Sequence, residues 1–84
     1  MLQNLANLRQ LPRELKDPYA KAYALMFQSG LPAKDVTTLS LISNSTYYRI
    51  ANGGEPELRQ SNKPTINRLA EGYDRLLAEY LTQL

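Results

Sequence analysis

Asn44, Ser45, Tyr48 and Arg49 are spaced so that an α-helix would carry all four on one face. Each can form hydrogen bonds, and two suit the edges of DNA bases. Arginine pairs bidentately with guanine and asparagine with adenine, each good pair contributing about 1–3 kcal/mol of discrimination. Serine reads bases less selectively. A tyrosine can touch a thymine methyl or bond a phosphate. A polar helix face of this kind fits the major groove of a duplex, provided the rest of the chain holds the helix at the surface.

The stretch from Leu31 to Gly53 supplies the positioning elements. Pro32 opens a short helix that the sequence carries to about Ser40. Val36 and Leu39 face inward on it, while Lys34, Asp35 and Thr38 face out. Thr37 falls where the two helices approach closely, a position that favours small side chains. Leu41 marks a tight turn, a place that usually prefers glycine because the backbone bends sharply. Ile42 drops into the core and Ser43 caps the next helix by accepting N–H bonds from its first turn. Tyr47 and Ile50 then face the core, opposite the polar face. Asn52-Gly53-Gly54 ends the helix with residues that tolerate positive φ. The pattern is that of a helix-turn-helix.

The flanking segments are helical too. Asp17-Pro18 is a helix start, the carboxylate capping free N–H groups and the proline having none to leave unpaired. Ala22, Leu25, Met26 and Ser29 trace one face, and Gly30 supplies the C-terminal left-handed residue. Glu55 to Ser61 reads as a polar loop holding Pro56, with Glu55 and Glu57 solvated. Asn62 or Ser61 caps the last helix, in which Ile66, Ala70, Tyr73, Leu77, Tyr80 and Leu84 step by 4, 3, 4, 3 and 4. Leu69, Leu76 and Leu81 widen that stripe beyond the needs of a small core. Tyr73, Leu77, Tyr80, Leu81 and Leu84 are therefore expected to form a dimer seam, the alternative being packing within the chain against the N-terminal leucines. Gly72 costs about 1 kcal/mol inside a helix and is a candidate break. Before Pro12, Leu2, Leu5, Leu8 and Leu11 outline a short amphipathic helix that packs on the domain's own core or on a partner subunit.

Composition narrows the function. Eighty-four residues make one domain, and a chain this short buries only about 60% of its unfolded surface. It has no Cys and no His, so disulfides, thiolate ligands, the commonest metal ligand and the commonest general base are all missing. No metal, cofactor, small-molecule ligand or catalytic residue is expected, and the chain does not read as an enzyme. No apolar run approaches the ~20 residues of a membrane span, and the first residues lack a signal-peptide pattern. A cytoplasmic protein is expected. The net charge of +2 is a weak nucleic-acid signal by itself.

Leu31 to Gly53 resembles the helix-turn-helix of the Cro/cI-type, XRE-like repressor family. Leu31, Lys34, Ile42, Ser43, Ser45, Thr46, Arg49, Ile50, Asn52 and Gly53 stand at places that match the family pattern. Pro64-Thr65-Ile66 and Leu69-Ala70 resemble the start of its fourth helix. Three positions depart from it: Pro32 replaces a serine cap, Thr37 an alanine and Leu41 a glycine. The turn at Leu41 is where the geometry is expected to differ. The resemblance implies that Asn44, Ser45 and Arg49 reach base edges with Tyr48 close by. It places Thr46 and Asn52 nearer the DNA backbone, with Lys34 adding a phosphate contact that fixes register.

The expectation is an all-α, lambda-repressor-like domain of four to five short helices. Residues 1–16 form an arm, 18–71 the DNA-binding core with its motif at 31–53, and 72–84 a C-terminal helix. Its function would be sequence-specific transcriptional repression by a homodimer on palindromic double-stranded DNA in the bacterial cytosol or nucleoid. Repressors of this kind are frequent on plasmids and phages. The alternatives are a DNA-binding antitoxin, a recombination or partition accessory factor, or a helical protein–protein adaptor that does not bind DNA.

Overall fold

A computed structural model describes residues 11–79. Those residues are entirely helical apart from their connections, with five helices and no strand among them. Helix α1 runs over Pro18–Tyr23 and continues as a π-helical turn over Ala24–Gln28. It is followed by α2 (Ala33–Ser40), α3 (Asn44–Gly53), α4 (Glu55–Arg59) and α5 (Lys63–Glu79). No helix among the described residues is long and apolar enough to cross a membrane.

Local chemistry sets most boundaries. Asp17 accepts the Ala20 N–H at 2.9 Å and caps α1. Gly30 leaves α1 at φ +70°, where a Cβ would be strained. Ser43 Oγ accepts the Thr46 N–H at 3.1 Å to cap α3, and Asn62 Oδ1 accepts the Thr65 N–H at 3.0 Å to cap α5. The π-helical turn has no signal in the residue types. It carries one extra residue per turn, so both Ala24 and Leu25 point inward and Met26 is only half-buried.

The stretch expected to be a polar loop contains α4. Gly54 precedes it at φ +75° and ψ −160°, a conformation essentially restricted to glycine. Glu55 and Glu57 lie in its first turn, Pro56 sits at the tolerated start and Arg59 closes the last turn, all matched to the helix dipole. Leu58 anchors it with no exposure.

Helix α5 packs mainly on α1 and α2, and α4 packs on α3. Leu25, Val36, Ile50, Leu58, Leu69, Tyr73 and Leu76 are completely buried, joined by Leu31, Leu39 and Ile42. One open point about α5 is decided here, and one expectation fails. Gly72 does not break the helix, which is continuous to Glu79. A Cβ at Gly72 would lie 2.9 Å from Ser40 Cβ and 3.0 Å from both Ser40 Cα and Leu25 Cδ2. The glycine therefore lets α5 approach α2 and α1 closely. Tyr73 is not on a dimer seam. It has 0% exposure, and its hydroxyl donates to the Pro12 carbonyl, tying the segment before α1 to α5. Leu77 is half-buried against the same core. Tyr80, Leu81 and Leu84, like Leu2, Leu5 and Leu8, lie outside the described residues.

Candidate nucleic-acid interface

The turn between α2 and α3 is built on a strained residue. Leu41 has φ 60° and ψ 35°, the left-handed region, and is the one non-glycine residue with positive φ among those described. Its N–H donates to the Thr37 carbonyl at 2.8 Å, and its own carbonyl accepts from Arg68 Nη1 at 3.4 Å. The leucine thus takes the conformation that a glycine would adopt freely. Its side chain stays 65% exposed, so little packing offsets the strain. Arg75 Nη1 donates to the Leu39 carbonyl about two turns further along α5. Both arginines stabilise the carbonyl-rich end of α2, where positive charge is favourable.

The turn delivers α3 with Ile50 fully buried beneath it and Tyr47 half-buried against the core. Asn44, Ser45, Tyr48, Arg49 and Asn52 are exposed. Tyr48 is 51% exposed, its ring meeting that of Tyr47 edge-on at 5.1 Å. Burial, and secondarily the neighbouring Tyr48, raise the Tyr47 phenol above its ordinary pKa. Tyr47 thus supports the ring of Tyr48 from below. Thr46 is half-buried, and its Oγ1 lies 3.0 Å from Ser43 Oγ within the cap. That bond ties it to the start of the helix. Lys34 is exposed in the first turn of α2, on a different element from the α3 cluster.

Arg49 is not solitary. Its Nε lies 3.5 Å from Glu57 Oε2 on α4, with the arginine side chain 52% and the glutamate 32% exposed. Gly53 makes this approach possible, since a Cβ there would lie only 2.6 Å from Glu57 Cβ. The neighbouring Glu55 faces the other way along α4. Its Oε2 accepts from Tyr19 Oη at 3.3 Å and pairs with Arg59 Nη2 at 3.1 Å. The Arg59 guanidinium also sits 5.9 Å from the centre of the Tyr19 ring, so this trio ties α4 to α1.

Glu57 and Arg68 were not singled out for roles here by the sequence pattern. For Glu57 a signal was present: Gly-Glu-Pro-Glu-Leu-Arg has the acidic first turn, early proline and basic last turn of a short helix. Recognising it would have brought Glu57 back beside α3. Arg68 carried no comparable signal, because its partner is a backbone carbonyl of a distant turn.

Compared with protein-family models, with curated proteins and with solved structures, the chain matches none.

Proposed function

We infer that this chain is a sequence-specific DNA-binding protein that represses transcription as a dimer on a palindromic duplex. The observation that carries the reading is the division of α3. Ile50 anchors one side in the core, while Asn44, Ser45, Tyr48 and Arg49 are exposed together on the helix that follows a capped turn. A buried anchor fixes the helix, and an exposed face with an arginine and an asparagine can read guanine and adenine in the major groove. Lys34, in the first turn of α2, supplies a phosphate contact that positions without reading sequence. Dimerisation follows from energetics: one small module with few base contacts binds too weakly and too unselectively for regulation. With Tyr73 buried in the protomer, association must use other surfaces.

The experiment is selection of bound duplexes from a random DNA pool, followed by titration of the recovered sequence at several salt concentrations. The expected result is specific binding that weakens steeply with salt and is lost for Arg49→Ala. Absence of duplex binding at low salt would refute the reading. Sedimentation of free and bound chain tests the dimer; a single copy bound to the selected duplex would remove that part of the proposal.

A further inference from the structure

We propose that Glu57 is a positioning residue: it holds Arg49 by its Nε and so aims the terminal guanidinium nitrogens of Arg49 at a paired acceptor such as a guanine edge. This role rests on the DNA-binding reading of α3. Three observations carry it. The contact of Arg49 with Glu57 is made through Nε, at 3.5 Å, which leaves both terminal nitrogens for another partner. A bidentate pair with guanine uses two parallel N–H donors, so its strength depends on how the guanidinium plane is held. The backbone is also arranged around this approach. Gly54 turns the chain at φ +75° so that α4 folds against α3, and Gly53 leaves the space that Glu57 Cβ occupies.

A partly exposed ion pair adds little to folding stability. Placing a carboxylate on a surface meant for phosphates, moreover, weakens general attraction to DNA. Glu57 therefore opposes non-specific binding while favouring one geometry of Arg49. The repulsion lowers affinity for every duplex alike, whereas the geometry of Arg49 raises affinity for the specific duplex alone, so only the second effect moves the ratio.

The test uses the full chain, the duplex recovered from the random pool by the wild type, and a scrambled duplex of equal length. Glu57→Ala is expected to bind the scrambled duplex more tightly than the wild type does. Its ratio of specific to scrambled affinity is expected to fall by about tenfold, the scale of one bidentate pair. Glu57→Gln, which keeps an oxygen for Nε, should retain more of the ratio than Glu57→Ala. Gly53→Ala, which drives Glu57 away through a clash, should lower the ratio without removing the carboxylate. In an Arg49→Ala background, Glu57→Ala should leave the ratio unchanged, because the residue it positions is gone. Equal gains by Glu57→Ala on both duplexes would mean simple charge repulsion and overturn the proposal. So would a fall of the same size in the Arg49→Ala background. A wild-type chain that binds no duplex would sink the DNA-binding reading first, an outcome distinct from either of these.

Discussion

Replacing Leu41 by alanine and by glycine should reverse the usual order of those two residues. At an ordinary helical position glycine is less stable than alanine by about 0.8–1 kcal/mol. At Leu41, φ is 60°, and any residue with a Cβ pays about 1–2 kcal/mol for the left-handed conformation. Leu41→Ala keeps that cost and loses whatever packing the leucine has. The packing is small, because 65% of the residue is exposed; a third of the burial value of a leucine is about 0.5–1 kcal/mol. Leu41→Gly loses the same packing but removes the strain. The glycine variant should therefore exceed the alanine variant by about 1 kcal/mol and lie close to the wild type. For a domain of this size that difference corresponds to about 4–8 °C in Tm, readily resolved by far-UV circular dichroism melts. The backbone hydrogen bonds at this residue, from its N–H to Thr37 and from Arg68 to its carbonyl, survive both substitutions and cancel in the comparison. An alanine variant as stable as the glycine variant, or more so, would refute the claim that this turn stores left-handed strain.

The other predictions concern the elements that support α3. Gly72→Ala should destabilise the fold by about 1 kcal/mol despite better helix propensity, since overpacking against Ser40 and Leu25 costs about 1–3 kcal/mol; a rise in Tm would contradict the close approach of α5. Ser43→Ala should cost about 1 kcal/mol in a denaturant titration by removing the N-cap of α3. Burial is the largest of the influences that together raise the Tyr73 phenol above its ordinary pKa. A group whose folded pKa is raised stabilises fully below its unfolded pKa, and that stability is lost as pH climbs through the folded value. The wild type should therefore lose stability above pH ~10, and Tyr73→Phe should flatten that loss while costing about 1 kcal/mol at neutral pH through the bond to the Pro12 carbonyl. An identical alkaline slope in the two proteins would show that Tyr73 is not the titrating group.

Much of this architecture was legible from residue type and short spacing. The caps at Asp17, Ser43 and Asn62 act on amides three residues away, so their effect is contained in the local sequence. The periodic placement of Val36, Leu39, Ile42 and Ile50 marked the buried side of the motif, all four being buried, because a helix converts spacing into a face. The position of the turn at Leu41 was legible for the same reason: a polar cap and a buried residue follow it at once. The polar residues of α3 were legible as candidates by elimination, being the side of the helix left over.

Other features depended on partners that the sequence does not name. The stripe on α5 was long enough to suggest an intermolecular seam, yet Tyr73 is consumed by contact with a residue 61 positions away. Periodicity tells which face is apolar, not what covers it. Gly72 has the same residue type whether it breaks a helix or lets one approach another, and only the proximity of Ser40 and Leu25 decides between them. The polar stretch after Gly54 becomes a helix because Leu58 finds a buried place and Glu55 and Glu57 find Arg59 and Arg49. By itself the sequence determined where the helices capped at Asp17, Ser43 and Asn62 start, which sides of the motif are buried and which polar residues α3 leaves outside, since all of these arise from interactions within a few residues. The tertiary structure alone decided which neighbour each surface meets, and so placed a carboxylate beside Arg49, because distant side chains are brought together only by packing of the whole chain.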